Sequence, residues 1–207
     1  MTNAVIQQDT NNATEIMSLE EFLNYDDGTD AHYELEDGRL LFMPSESEIN
    51  RRIAVFLLIY FAQLGIPISR LTQKTEVATM GTRPSVRVPD LMVLTEELAQ
   101  ALEGASRSIV MLDMPPPQLV VEVVSPGRKN EERDYRYKRA QYQARGIAEY
   151  WIVDPIQQQI TVLTLVAGLY EEAVFVGDAA IVSPLLLELG QESELTAAQV
   201  LQLGTNQ

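Results

Sequence analysis

Two carboxylates stand in segments that otherwise read as pure hydrocarbon. Val88-Pro89-Asp90-Leu91-Met92-Val93-Leu94 and Leu119-Val120-Val121-Glu122-Val123-Val124 each have the composition of a buried β-strand, and each carries one acid. A lone charge in such a strand costs several kcal/mol even after relaxation, so the two acids call for a cation. A basic, tyrosine-rich segment containing Lys138 follows the second strand. Two strand acids and a lysine are the minimum set for cation-assisted cleavage of a phosphodiester. A hard cation neutralises the anionic oxygens, orients a water and lowers its pKa. An ammonium group adds fixed positive charge where the transition state needs it. Each residue also has a purely structural alternative. Asp90 after Pro89 can cap a turn, and Glu122 can pair with an arginine. Lys138, four residues after Asp134, can form a helix-surface pair worth about 0.2–0.5 kcal/mol. Tyr135, Tyr137, Tyr142 and Trp151 read as packing residues, and His32 as an incidental surface residue.

Composition narrows the chemistry further. The 207 residues include no cysteine and one histidine. Disulfides, zinc–thiolate sites and thiol nucleophiles are therefore excluded, and a histidine-rich metal site or a Ser-His-Asp triad is disfavoured. Any metal must be held mainly by oxygen, which points to magnesium or manganese. The formal net charge of −15 opposes binding to phosphate. That charge is unevenly spread: residues 15–37 carry nine acids and no Lys or Arg, whereas residues 128–145 carry seven of the fifteen basic residues against three acids. Residues 1–13 lack the basic flank and apolar core of a signal peptide. The longest apolar run, Ala54 to Ala62, is too short to span a bilayer. A soluble cytoplasmic protein without membrane association is expected.

Several elements must position these groups. Residues 1–14 read as a disordered tail, and residues 15–207 as one domain. Ser18-Leu19-Glu20-Glu21 matches a capping box and starts a short helix. Asp37-Gly38 between Tyr33–Glu36 and Arg39–Met43 marks a β-hairpin. Asn50 is positioned to cap a mostly buried helix that Gly65 stops. Residues 71–79 fit a strand, and Thr95–Glu103 a helix. Residues 104–118, ending in three prolines, form a connector. After the Glu122 strand, a helix spans about Glu131–Arg145 and closes at Gly146. Then come a strand over Glu149–Asp154, a hairpin around Ala167-Gly168, and a short helix near Thr196–Leu203. This order predicts an α+β fold: a mixed β-sheet flanked by helices, with an N-terminal helix–hairpin extension.

In combination and order, these segments resemble a known family. Val88-Pro89-Asp90, then Val121-Glu122-Val123-Val124-Ser125-Pro126, then Arg133-Asp134 with Lys138 and Tyr142, then Gly146-Ile147-Ala148-Glu149-Tyr150-Trp151-Ile152-Val153-Asp154 look like the Uma-type putative restriction endonucleases of the PD-(D/E)XK nuclease superfamily. Tyr33-Glu34-Leu35-Glu36-Asp37-Gly38 is similar to the family's opening hairpin. The resemblance implies a restriction-endonuclease-like fold. It assigns Asp90 and Glu122 as ligands of Mg2+ or Mn2+, with the backbone carbonyl of Val123 as a third ligand. Val124 stands where the superfamily motif has lysine, and the resemblance implies that Lys138 on the neighbouring helix replaces it. Glu34 matches an upstream acid sometimes recruited to the metal or its waters, and Asn50 stands where relatives carry histidine.

The leading expectation is a divalent-metal-dependent endonuclease acting on DNA as a homodimer, with Asp90, Glu122, Lys138 and Glu34 as its catalytic set. The acidity, Asn50 and the displaced lysine also suit a nuclease-fold module that binds or assembles without cutting. A hydrolase of smaller phosphate esters is a third reading.

Overall fold

The structure, a computed structural model, describes residues 16–190 and 195–201. The tail expected over residues 1–14 lies outside them. Helix α1 (Leu19–Leu23) opens with the expected capping box: the Ser18 hydroxyl accepts the Glu21 N–H, and the Glu21 carboxylate accepts the Ser18 N–H. Strands β1 (His32–Glu36) and β2 (Arg39–Met43) form the expected hairpin. Its turn residues Asp37 and Gly38 have φ of 48° and 76°, the left-handed pair that a type I′ turn requires.

Helix α2 (Glu48–Gln63) is capped by Ser47 rather than Asn50, because the Ser47 hydroxyl accepts the Asn50 N–H. Asn50 instead lies in the first turn with its side chain buried. The strand expected over 71–79 is broken into β3 (Leu71–Thr72) and β4 (Glu76–Met80), which join different sheets. The crossing between them places Lys74 at φ 61°. Strand β5 (Pro84–Arg87) precedes β6 (Leu91–Val93), so Asp90 sits immediately before its strand rather than within it. Thr95 caps α3 (Glu96–Leu102), and the connector after it contributes a short β7 (Ile109–Val110).

Strand β8 (Leu119–Val123) leads into a helix that begins earlier than expected. Helix α4 (Arg128–Glu132) continues through a π-helical stretch, Arg133–Lys138, into α5 (Arg139–Arg145). Gly146, at φ 78°, closes it. Strands β9 (Glu149–Asp154), β10 (Gln159–Val166) and β11 (Leu169–Val176) follow, then α6 (Pro184–Glu188) and α7 (Ala197–Leu201).

The fold is α+β with mixed sheets flanked by helices, and the strands divide between two sheets. One has the order β2-β1-β5-β4-β7, and the other β11-β10-β9-β8-β6-β3. Pairing is antiparallel except for β4–β7 and β8–β9. In the second sheet the two-residue pleat sorts side chains between two cores. Leu91, Leu119, Val121, Trp151 and Val153 pack with Ile53, Leu57 and Phe61 of α2. Met92, Val120, Tyr150 and Ile152 pack on the opposite face with Tyr142 of α5 and Leu98 of α3. No helix among the described residues is long and apolar enough to cross a membrane.

Candidate active site

The same pleat aims the two acids. Leu119, Val121 and Val123 of β8 join the core under α2, whereas Val120 and Val124 join the core under α5. Glu122 therefore faces α5. Leu91 of β6 pairs with Val121, antiparallel, so extending that register by one residue sets Asp90 opposite Glu122. Asp90 Oδ2 accepts the Val123 N–H at 2.6 Å, which fixes the carboxylate at the end of β8. The structural alternative for Asp90, satisfying backbone at a strand boundary, thus coexists with its place beside Glu122.

Lys138 reaches the same point from the π-helical stretch. Its Nζ lies 2.7 Å from Glu122 Oε2 and 3.1 Å from Asp134 Oδ1. The four-residue pair with Asp134 exists, but not on a solvated helix face: Lys138 and Asp134 are each only 5% exposed. The Tyr142 hydroxyl donates to Glu122 Oε1 at 2.6 Å, so both oxygens of this carboxylate are oriented. Val124, at the motif's usual lysine position, is buried in the apolar core under α5. An ammonium group there would displace packing, and the neighbouring helix supplies the charge instead. Asp90, Glu122, Val123 and Lys138 line one cleft of about 830 Å³.

Glu34 is fully buried but is not among the residues lining that cleft. Its carboxylate accepts from Arg87 Nη1 at 3.0 Å and from the Val88 N–H at 2.9 Å. Arg87, equally buried, also contacts Glu36 at 2.8 Å and donates its Nε to Gln141. Asn50 lies at the cleft wall and donates to the Val123 carbonyl and to Ser125 Oγ, each at 3.0 Å. Sequence reading missed Arg87, the hydroxyl role of Tyr142 and the burial of Asp134. The signal for Arg87 was present: a charged residue between Val86 and Val88, the same pattern that exposed Glu122.

Burial and charge act against each other here. Burial pushes Asp90 up to about 6, a rise that the Val123 N–H and the Lys138 charge only partly offset. Burial also raises Glu122, with Lys138 opposing and Asp90 adding to the rise. Burial favours the neutral amine of Lys138, but the charges of Asp134, Glu122 and Glu34 outweigh it and hold it protonated. Burial would likewise raise Glu34, yet Lys138, Arg87 and the Val88 N–H keep it below the ordinary carboxylate range.

These groups form a donor set suited to a hard cation. Among the described residues no three histidine or acidic side chains cluster as a metal cage. Magnesium, however, is commonly held by one or two carboxylates, with water and substrate phosphate completing the shell. Asp90, Glu122 and the Val123 carbonyl offer that kind of set, all oxygen. Burial shifts Asp90 and Glu122 toward their protonated forms, and a bound cation would favour the carboxylates instead.

No curated protein matches the chain. Among solved structures it is similar to a putative nuclease belonging to DUF820 from Anabaena variabilis ATCC 29413, with 18% sequence identity and a TM-score of 0.68 over 91% of this chain and 99% of that one. At that identity the likeness establishes the fold. A family model described as Uma2, putative restriction endonuclease, matches residues 19–198, which takes in both strand acids, Lys138 and the opening hairpin. The chain belongs to the Uma2 family.

Proposed function

We propose that this protein is an endonuclease that hydrolyses DNA phosphodiester bonds with the help of Mg2+ or Mn2+. One observation carries the reading: an acid on β8, an acid just before the neighbouring β6 and a buried ammonium from the following helix line a single cleft, with Lys138 Nζ 2.7 Å from Glu122. Asp90, Glu122 and the Val123 carbonyl would hold the cation. When bound, it supplies Lewis acidity, neutralising phosphate charge and lowering the pKa of a water. Lys138 cannot serve as a general base, because its acidic neighbours keep it protonated. It acts as a fixed cation that hydrogen-bonds a non-bridging phosphate oxygen as negative charge accumulates there. Water forms the new bond to phosphorus and releases a proton to solvent, the bond to the leaving sugar oxygen breaks, and that oxygen takes up a proton from solvent. Tyr142 orients Glu122, and Glu34 acts as a positioning residue through Arg87 and through its charge on Lys138.

The test is incubation of the purified protein with manganese and circular DNA, supplied as supercoiled duplex and as single-stranded circle. Cleavage that disappears in Asp90→Ala and Glu122→Ala supports the assignment; cleavage that survives both rejects it. A non-cutting module of the same fold is favoured by one specific observation. The Val123 carbonyl is already taken by Asn50, and Glu122 by Lys138 and Tyr142. Calorimetry with manganese separates the two, because a module of this kind folds normally and binds no metal.

A further inference from the structure

The cleft extends past the acids to a wall built by the N-terminal hairpin. Tyr33 and Phe42 are cross-strand partners there, their rings 5.9 Å apart and edge-to-face, and Tyr25 continues the row 5.5 Å from Tyr33. Phe42 is 59% exposed and lines the cleft. Lys74 stands on the same cleft, its side chain 64% exposed and paired with Glu46 at 3.1 Å. Its backbone sits at φ 61°, a region that a lysine occupies at a cost and that clusters at binding sites. An exposed ring and an exposed ammonium in one cleft are the two halves of a nucleotide grip: a base stacks on the first, and a phosphate pairs with the second.

Size and charge select which nucleic acid can use it. A volume of 830 Å³ equals that of a cube about 9 Å on edge, within the range of small-molecule clefts. A cleft of that size has room for one splayed nucleotide. A duplex carries one charge per roughly 1.7 Å of axis, twice the density of a single strand. A chain of net charge −15 opposes the denser polyanion more strongly. Deepening the endonuclease reading and resting on the same cleft, we propose that the site takes an unpaired DNA strand, with a base against Phe42 and a phosphate on Lys74.

The test is fluorescence anisotropy in EDTA at low salt, using a labelled single-stranded 20-mer and the same sequence as a blunt duplex. The single strand should bind at least tenfold more tightly. Phe42→Leu should weaken it roughly 5- to 150-fold, the range for loss of one stacked base, while Phe42→Trp retains it. Lys74→Gly, which relieves the backbone and leaves the fold intact, should reduce the slope of log affinity against log salt by about 0.7. Equal or tighter duplex binding, binding of neither probe, or a single-strand affinity unmoved by Phe42→Leu and Lys74→Gly overturns the proposal. The readout needs no cleavage, so the two readings fail separately. A protein that grips single strands but never cuts them loses only the endonuclease assignment. One that cuts DNA but prefers duplex loses only this inference.

Discussion

Replacing Asp90 by asparagine should stabilise the metal-free protein at neutral pH while destroying its capacity for a cation. The Val123 N–H needs only an oxygen acceptor at 2.6 Å, and the asparagine carbonyl provides one. The charge is what burial penalises. Asp90 is pushed from 3.8 to about 6. At 1.36 kcal/mol per tenfold change in proton affinity, this corresponds to about 3 kcal/mol at pH 8, an upper value because the cleft admits water. The sign follows from proton counts. Between pH 4 and 6 the native state binds more protons at this position than the unfolded chain, so the penalty fades as pH falls. Urea denaturation in EDTA should show Asp90→Asn more stable by up to about 3 kcal/mol at pH 8, a gain shrinking below about 1 kcal/mol at pH 4. Manganese should raise the melting temperature of the wild type but not of the variant. A variant no more stable than wild type at pH 8, or a gain that ignores pH, refutes the reasoning.

Three other outcomes follow from the same geometry. Tyr142→Phe removes a buried donor to Glu122 and should cost about 1.5–3 kcal/mol in urea titrations, as for hydrogen bonds to charged groups. Arg87→Met leaves Glu34 charged with no guanidinium and should cost about 3–5 kcal/mol, a large part of which Glu34→Gln in the same chain restores. Lys138→Gln should lower DNA cleavage roughly 10²- to 10³-fold. Because Lys138 remains protonated in the native protein, the wild-type rate should show no lysine titration between pH 7 and 9.

Much of this site was legible because burial follows the pleat. Glu122 and Asp90 were found as charges interrupting apolar strands, and the register that sets them side by side follows from the antiparallel pairing of β6 and β8. The capping box and the Asp37-Gly38 hairpin were equally readable, since local chemistry alone specifies both. What escaped depended on contacts distant in sequence. Asn50 looked like a helix cap because its side chain suits that task, yet a partner 73 residues away, the Val123 carbonyl, claims it. Lys138 and Asp134 have the spacing of an exposed pair, and only the packing of their helix against the sheet buries them. The break at Lys74 was hidden because β-propensity continues through residues 71–79 although the chain changes sheets there. Arg87 was missed for want of a partner in view: Glu34 and Glu36 lie about fifty residues upstream.

The widened turn through Arg133–Lys138 gives its helix an unusual sensitivity to length. Asp134, Lys138 and Tyr142 are spaced by four, and at 3.6 residues per turn each such step overshoots a full revolution by about 40°. Loosening the first step offsets that drift, so that Lys138 and Tyr142 both reach Glu122 while Asp134 pairs with Lys138. Loss of one residue from this stretch would tighten the coil to ordinary pitch and swing the tyrosine and the lysine to different bearings. The backbone irregularity therefore works as a phase adjuster, and the spacing of these side chains matters as much as their identity.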